Sequence, residues 1–271
     1  EYYKMAIDKG NSTAMYQYAV NLENGQGIQT NEEEAIKYYK MAIDEGNPKA
    51  MVNYAMILYY DEHNPQNKIE SLKYLKMAAD NGYIKAMLTY SFLCSGGDDA
   101  IPVNKDESIK YYKIAIEKGS EEAMFFYGKM LYNGDGVPEN KEEALKYFKM
   151  SADKGDPDGI FEYAFMKSEG QACTVDKDES IKYLKMAIHK DSTRAMNYYA
   201  KLLFYGNGVP ENKEEALKYF KMAADKGNPD EIYIKNFMKN EDKSESNPDD
   251  KAQKIKYYKK MMPVTHVTGI V

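Results

Sequence analysis

The chain has 271 residues, of which 43% are hydrophobic and 30% are charged, a composition too apolar for a wholly disordered protein. Thirty-seven basic and forty-three acidic residues give a net charge of -6, which argues against a dedicated nucleic-acid or anionic-membrane binder. No run of about eighteen apolar residues is available to cross a bilayer. We therefore expect no nucleic-acid partner and no membrane insertion.

The two cysteines give little evidence of disulfide bonds, metal binding or nucleophilic catalysis. Cys94 and Cys173 are too few for a disulfide framework, and neither lies in a zinc-ligand spacing. Each aligns with an apolar position of the repeat described below, so we expect core thiols rather than nucleophiles. A reducing, cytoplasmic location is the simplest interpretation. The first residues, EYYKMA, open inside a motif that recurs later, so the natural protein is expected to extend upstream.

A sequence block recurs along the chain with a period of 36 residues. It reads KYYKMAI at Lys37 and returns at Lys73, Lys110, Lys146, Lys182, Lys218 and, in degenerate form, Lys256. Such a period indicates stacked units that bury their apolar faces only against one another. We predict one solenoid over 1–262 without an internal domain boundary. A partial helix at 1–10 precedes repeats at 12–47, 48–83, 84–120, 121–156, 157–192, 193–228 and 229–262, and a non-repeat tail follows at 263–271.

The first half of each repeat has the pattern of an amphipathic helix, named helix A. In the first repeat, its apolar face is formed by Ala14, Met15, Tyr18, Ala19 and Leu22. Asparagine or aspartate followed by proline marks the start of helix A at 47–48, 156–157 and 228–229. The first residue of each pair can cap the helix, and proline suits the first helical position.

The second half of each repeat predicts helix B. Its start has the capping-box signature, in the pairs Asn31/Glu34, Asn67/Glu70, Asn104/Glu107, Asn140/Glu143, Asp176/Glu179 and Asn212/Glu215. Its end is marked by Gly46, Gly82, Gly119, Gly155 and Gly227, with Asp191 as the exception. A Gly-x-Gly loop joins helix A to helix B. In repeats two, three and five this loop is expected to bend differently, because glycines are replaced by Asp61, His63, Asp99 and Ala172.

Positions that keep one residue type in most repeats are assigned to the core, where a small residue permits close helix contact beside a bulky one. On helix A they are Ala14, Ala50, Ala86, Ala123, Ala195, Tyr18, Tyr54, Tyr90, Tyr127, Tyr163 and Tyr199. On helix B a methionine or isoleucine follows each tyrosine by three residues, and both are predicted to be core. These tyrosines are Tyr38, Tyr74, Tyr111, Tyr147, Tyr183 and Tyr219.

The repeat resembles a known family. The segments ENKEEALKYFKMSAD (139–153) and ENKEEALKYFKMAAD (211–225), together with Gly-x-Gly-Val-Pro loops, are similar to the Sel-one-like repeats, relatives of the tetratricopeptide repeats. The likeness extends over roughly residues 1–262. It implies an all-α fold, a right-handed α/α superhelical solenoid of about seven 36-residue hairpins, with helix A lining the concave side.

The resemblance also implies an adaptor that assembles protein complexes and needs no cofactor. Such arrays also resemble the non-catalytic half of some protein kinases, so a regulatory module of a larger signalling protein is the first alternative. The chain holds no kinase motif, P-loop, GxSxG or HExxH sequence, and we predict that it is not an enzyme. A hydrolase or small-ligand receptor that uses the Gly-x-Gly loops is the second alternative.

One face of helix A is the predicted binding surface, because its residues vary between repeats while their spacing keeps them aligned. We expect a protein or peptide to bind there to a monomeric array, through aromatic anchors edged by charge. Phe125, Phe161 and Phe165 are the predicted central anchors; the alternative is that some rings pack against the neighbouring helix A. The full predicted set is Tyr16, Val52, Met56, Tyr60, Leu88, Phe92, Phe125, Lys129, Tyr132, Phe161, Phe165, Asn197, Lys201, Phe204, Tyr205, Tyr233 and Phe237.

Paired lysines recur on helix B, at Lys37 and Lys40 in the first repeat and at equivalent positions in the next five. A phosphate-binding strip is one interpretation. However, an acidic residue four positions earlier, such as Glu33 or Asp106, allows an exposed pairing of only ~0.3–0.5 kcal/mol. A solvated convex face is the favoured interpretation.

Overall fold

The computed structural model describes residues 2–61, 64–96 and 101–228. Within these ranges the chain forms thirteen helices: α1 (Tyr2–Ile7), α2 (Ser12–Asn24), α3 (Glu32–Asp44), α4 (Pro48–Tyr59), α5 (Pro65–Asp80), α6 (Ile84–Gly96), α7 (Lys105–Glu117), α8 (Glu121–Asn133), α9 (Lys141–Asp153), α10 (Pro157–Glu169), α11 (Lys177–His189), α12 (Thr193–Tyr205) and α13 (Lys213–Asp225). The even-numbered helices α2 to α12 are the predicted A helices, and the odd-numbered helices α3 to α13 are the predicted B helices. The predicted all-α solenoid of helical hairpins is confirmed. The predicted repeat 229–262 and the tail lie outside the described residues.

The helices belong to two compact units. The N-terminal unit covers Glu1–Asn140 and contains α1 to α8, and the C-terminal unit covers Lys141–Val271, of which α9 to α13 are described. In each unit, a helix packs mainly on the helices before and after it in sequence, as a stacked repeat array requires. Among the described residues, no helix has the length and apolar character needed to cross a membrane.

Capping residues explain where the helices begin. The side-chain oxygens of Asn31, Asn104, Asp176 and Asn212 each accept a hydrogen bond from the backbone N–H three residues on, at 3.0–3.1 Å. These four predicted starts are confirmed. The start predicted at Asn67 is wrong, because α5 begins at Pro65 with Asn64 as its cap. Asn64 lies three positions before Asn67 and is followed by a proline, so it offers both a cap and a rigid first helical residue.

The glutamate of the predicted capping box has a different role in the α10–α11 hairpin. The backbone N–H of Asp176 donates to the carbonyl of Lys167 at 3.0 Å, so the start of helix B is tied to the end of helix A. The Glu179 carboxylate instead accepts from the Tyr163 hydroxyl at 2.9 Å and pairs with Lys167 Nζ at 2.8 Å. The same backbone bond from the N-cap recurs at Asn31, Asn104 and Asn212.

The predicted core on helix A is confirmed, and that on helix B is partly wrong. The five alanines and six tyrosines assigned to helix A are all buried. On helix B, Tyr111 and Tyr183 are buried, but the methionines three residues after the tyrosines are 38–46% exposed at Met77, Met150, Met186 and Met222. The buried position lies four residues after the tyrosine and holds Ala42, Ala78, Ala115, Ser151, Ala187 and Ala223. The methionine therefore sits beside the core, on the outer edge of the helix.

Five of the hairpins are joined by a tyrosine pair, formed by the tyrosines that recur at one position of helix A and one position of helix B. Their rings meet edge to face with centroids 4.7–5.1 Å apart in the pairs Tyr18–Tyr38, Tyr54–Tyr74, Tyr90–Tyr111, Tyr163–Tyr183 and Tyr199–Tyr219. A lysine from the preceding helix B lies over the helix A ring, 5.3–5.9 Å from its centroid, at Lys40, Lys76, Lys113, Lys149 and Lys185. The second lysine of these five blocks is thus part of the packing between repeats, which the expectation of a solvated face missed.

Two left-handed positions that favour glycine hold other residues. Ala172 has φ 59°, close to the values of 73°, 75° and 77° at Gly27, Gly136 and Gly208. The different bend expected at Ala172 is therefore wrong, since the alanine adopts the glycine conformation. Asp191, at the end of helix B, likewise has φ 65°. A side chain in this region costs about 1–2 kcal/mol.

We expect Ala172→Gly to raise the free energy of unfolding by about 1 kcal/mol, because glycine relieves the left-handed strain. The melting temperature should rise by about 2–4 °C, measured by calorimetry. Gly27→Ala is the reciprocal variant: its φ is 73° and nothing lies within 4 Å of an added Cβ, so it adds only strain. An unchanged or lower melting temperature for Ala172→Gly would contradict this assignment of strain.

The carboxyl of Glu179 makes stability depend on pH. Its pKa is lowered, first by the hydrogen bond from Lys167 and then by that from Tyr163. The folded-state pKa thus lies below the unfolded-state value of about 4.3. The carboxylate stabilises the fold fully above that value, and its contribution is lost as the pH falls through the folded-state pKa.

We expect Glu179→Gln to be less stable than the wild type near pH 7 and to lose less of its stability on acidification to about pH 3. Urea unfolding across this range measures the difference. Glu142→Gln, a change at an exposed residue of α9, is the control and should follow the wild-type curve. Parallel curves for Glu179→Gln and the wild type would show that this ionic contact adds nothing.

Candidate partner-binding surface

The predicted contact residues lie on the A helices, in both units. Tyr16 is on α2, Val52 and Met56 are on α4, and Leu88 and Phe92 are on α6; Phe125 to Tyr205 of the set follow on α8, α10 and α12. Tyr60 directly follows α4 as its C-cap. Tyr233 and Phe237 lie outside the described residues.

Two of the three predicted central anchors are buried. Phe125 is 6% exposed and Phe161 is 7% exposed, and Val52 and Phe204 are buried as well. Phe125 packs on Phe126 with ring centroids 5.2 Å apart, and the Lys129 ammonium lies 5.5 Å from its ring centroid. The prediction that Phe125 and Phe161 are accessible rings is wrong. The spacing of residues along a helix does not reveal which side chains lie over them.

The cover over Phe161 is Arg194, the only arginine of the chain. Its guanidinium carbon lies 4.2 Å from the Phe161 centroid, and its Nη2 donates to Glu162 at 2.6 Å. Phe165 stacks on Phe161 at 6.2 Å and remains half-buried, with Tyr198 edge-on to it at 5.3 Å. The sequence pattern places Arg194 on the variable face of helix A, but it did not predict that Arg194 covers Phe161. The available signal was the pair of acids Asp158 and Glu162 on the preceding helix A.

Other predicted residues already have partners within the framework. The Asn197 amide donates to the backbone carbonyl of Asn228 at 3.0 Å, so it ties helix A to the last residue of the same repeat. Burial raises the pKa of Tyr16, which also lies close to Tyr83 and bonds to Asn53. Both residues are half-buried. Their polar groups serve the packing between hairpins, which lowers their value as contacts for a partner.

The rings that remain open on the helix A face are few. In the N-terminal unit Tyr60 is 70% exposed and Phe92 is 56% exposed, and in the C-terminal unit Tyr205 is 60% exposed. Met56 and Leu88, one turn before Tyr60 and Phe92 on the same helical faces, are half-buried. We name Met56, Tyr60, Leu88 and Phe92 the helix A patch. Lys129 is exposed, whereas Tyr132, Phe165 and Lys201 are half-buried.

The helix A patch adjoins two depressions in the N-terminal unit. A cavity of about 670 Å³ is lined by Met56, Ile57 and Tyr60 of helix A and by Ile36 and Lys40 of the preceding helix B. A second cavity of about 400 Å³ lies between α6 and α8 and is lined in part by Ile84, Lys85, Leu88, Lys118, Glu121 and Glu122. Apolar side chains at the base and charged groups at the edge are typical of protein-binding surfaces.

Phe92 is supported from below by a column of rings. Its centroid lies 6.2 Å from that of Phe126, which stacks on Tyr112 at 5.7 Å with an angle of 18° between the planes. Tyr112 is 1% exposed, and burial raises its pKa, so its hydroxyl stays protonated. The column holds Phe92 in place without covering it. Phe126 was missed because it lies between the helix A positions chosen from the spacing.

The residues described offer little to metal or nucleophilic chemistry. No group of three or more histidine, cysteine, aspartate or glutamate side chains with metal-site geometry occurs among them. Cys94 is buried as predicted, and burial raises the pKa of its thiol. Cys173 is only half-buried, and its Sγ contacts the carbonyl of Met166 at 3.7 Å.

Stacked helical hairpins that share one repeated set of caps, tyrosine pairs and turn glycines define an α/α repeat protein. The family model described as Sel1 repeat matches residues 12–47, 48–83, 84–120, 121–156, 157–192 and 193–228. The chain belongs to the Sel1 repeat family. Proteins of this family are generally protein-interaction scaffolds and typically non-enzymatic. No curated protein sequence matches the chain.

Two solved structures share the fold. One is c5321, a protective antigen present in uropathogenic Escherichia coli strains that displays an SLR fold; it matches with a TM-score of 0.83 and 19% identity over 96% of this chain and 55% of the antigen. The other is a Sel1 repeat protein from Oxalobacter formigenes, with a TM-score of 0.71 and 24% identity over 79% of this chain and 85% of that protein. The chain spans about half the length of the antigen. At these identities the likeness concerns the fold alone.

We expect Arg194→Ala to lower the free energy of unfolding by about 1 kcal/mol, because it removes the cover of Phe161 and the contact with Glu162. Arg194→Lys should recover less than half of the loss, since an ammonium cannot stack on the ring while it binds the carboxylate. Urea unfolding measures both variants. Full recovery in Arg194→Lys would show that charge alone matters at this position.

Proposed function

We propose that this chain is a non-enzymatic scaffold that binds a protein or peptide partner through the helix A patch of its N-terminal unit. Phe92 carries the proposal. It is a phenylalanine that is 56% exposed, on a helix whose other large apolar side chains are mostly buried or half-buried. An exposed aromatic ring beside further apolar groups is typical of an interaction site.

The neighbouring repeats support this choice of anchor. The residues equivalent to Phe92 on α2, α4 and α8 are Val20, Met56 and Lys129, so Phe92 is the one aromatic side chain at this position in the N-terminal unit. Tyr60 adds a second exposed ring, beside the cavity that Met56 also lines. A partner could insert an apolar side chain there and contact Phe92 with another.

Charge at the edge of the patch gives the partner its orientation. Lys85 is exposed near the start of α6, Lys129 is exposed on α8 at the repeat position of Phe92, and Glu122 is exposed at the start of α8. Rim charges of both signs steer association and fix register more than they add affinity. The patch therefore suits a segment with apolar anchors and polar flanks.

The test compares the wild type with a Tyr60→Ala, Phe92→Ala variant as immobilised bait in a native lysate. Removal of an interface anchor commonly costs about 2 kcal/mol or more, so the double variant should lose nearly all of the proteins that the wild type retains. Val103→Ser, a change at another exposed apolar residue of the same unit (55% exposed), should retain them. Retained proteins are identified by mass spectrometry and confirmed by titration of the purified partner.

Circular dichroism and melting must match among the three baits, which is expected because the mutated side chains are largely exposed. Phe125→Ala does not serve as a test, since truncating a buried phenylalanine typically costs about 3–5 kcal/mol of stability. Equal retention by the wild type and the double variant would contradict the proposal.

A further inference from the structure

The B helices of the C-terminal unit carry a second surface. Met150 of α9, Met186 of α11 and Met222 of α13 occupy one position of the repeat and are 44%, 38% and 42% exposed. Methionine is flexible and polarisable, and exposed methionines suit contacts with varied apolar side chains. Three of them at the same height on successive B helices form an apolar row.

Lysines border this row on both sides. Each methionine has an exposed lysine four residues before and four residues after it, in the pairs Lys146/Lys154, Lys182/Lys190 and Lys218/Lys226. Residues 182–190 carry three lysines and no carboxylate, and residues 146–154 and 218–226 each carry three lysines and one aspartate. This concentration of positive charge contrasts with the net charge of -6 of the whole chain. We name these three segments the lysine–methionine face.

A cavity of about 560 Å³ opens at one end of this face, between α11 and α13. Ile188, Tyr219 and Met222 form its apolar part. Elsewhere the helix B tyrosine donates to an aspartate of the preceding helix B, as Tyr183 does to Asp153 at 3.3 Å. Opposite Tyr219 the equivalent residue is His189, so this bond to an aspartate cannot form and the junction is different here.

The carboxylates around the cavity are already engaged. Asp191 pairs with Lys226 at 3.0 Å, Glu214 lies 4.0 Å from Lys218, and Glu215 accepts from the Asn212 amide at 3.0 Å. The pairs of Lys226 and Lys218 are exposed and therefore weak. The positive charge that the face offers to a partner thus comes from the other lysines and, in part, from these two.

We propose that the lysine–methionine face binds an acidic, amphipathic segment of a protein partner. Carboxylates of the segment would pair with the lysines, and its apolar side chains would contact the methionine row, with one inserted into the cavity. A short segment fits this face better than an anionic membrane. Acidic residues in the first turns of the same helices, Glu142, Asp178 and Glu214, would be repelled by a uniformly negative surface.

The inference is independent of the function proposed for the helix A patch, because it uses other helices in the other unit. The experiment is a selection of short random peptides displayed on phage against the full chain, followed by affinity measurement with the purified peptides by fluorescence anisotropy. The variants are a Met150→Gln, Met186→Gln, Met222→Gln triple and a Lys146→Gln, Lys182→Gln, Lys218→Gln triple. Glutamine preserves helix propensity, and both triples should melt as the wild type does.

We expect the selection to enrich peptides that combine acidic with apolar residues. Both triple variants should bind them about tenfold more weakly or worse, and the lysine triple should also lose much of the salt dependence. Met77→Gln is the matched control: Met77 is 46% exposed at the same repeat position of the N-terminal unit. It should bind as the wild type does.

Several outcomes would overturn the inference. These are enrichment of basic or uncharged peptides, unchanged affinity in the methionine triple, or no enrichment at all. Binding on the helix A patch only would follow if the Tyr60→Ala, Phe92→Ala variant no longer bound the peptides and the two triple variants still did. The face would be assigned to a membrane surface by three results together: the wild type floats with phosphatidylserine vesicles, the lysine triple does not, and no peptide binds.

Discussion

The tyrosine pair is the central contact of five hairpins, and in the α6–α7 hairpin three kinds of interaction hold its two rings at once. In the α6–α7 hairpin the rings of Tyr90 and Tyr111 meet edge to face at 5.1 Å, and the Lys76 ammonium lies 5.9 Å from the Tyr90 centroid. Both hydroxyls donate to carboxylates, Tyr90 to Glu107 and Tyr111 to Asp80. Burial raises the pKa of both tyrosines, which keeps them protonated as donors. Lys76 and Asp80 belong to α5, the preceding helix B. A hairpin therefore completes its own polar contacts only with groups from its neighbour, which is the physical reason why such repeats stack.

Local signals in the sequence were sufficient for the fold because they act within one hairpin. Asn104 caps α7 with its own side chain, and a left-handed glycine such as Gly119 ends the same helix by backbone conformation alone. The same independence explains why Ala172 can adopt the left-handed conformation of Gly208, since the loop is fixed by the helices on either side. The start of α5 was misplaced because two capping asparagines compete there, and only Asn64 is followed by proline.

The binding surface was predicted less well because exposure depends on which side chains lie over each ring, whether they come from the same helix or from the next repeat. Phe125 and Phe161 share one helix A position and both are buried, and their covers differ: a lysine of the same helix lies over Phe125 and Arg194 of the next helix A lies over Phe161. Phe92, one turn further along helix A, contacts Phe126 with ring centroids 6.2 Å apart and stays exposed. No spacing rule separates these cases. The misassigned methionines of helix B have a similar cause, because a difference of one residue, from Met186 to Ala187, changes the exposed fraction from 38% to 0%.

The two surfaces identified differ in the way in which they came to be exposed. The helix A patch lies at positions where the residue type differs from repeat to repeat. At one of these positions Phe92 is left exposed. The lysine–methionine face exists because the repeat pattern places the same two residue types on α9, α11 and α13 in turn, so the same contacts are offered three times. A variable surface favours recognition of one particular partner, whereas a repeated surface favours many weak, similar contacts. A scaffold that has both can bind one partner tightly and hold a second by summed weak contacts, and neither surface requires the other to change.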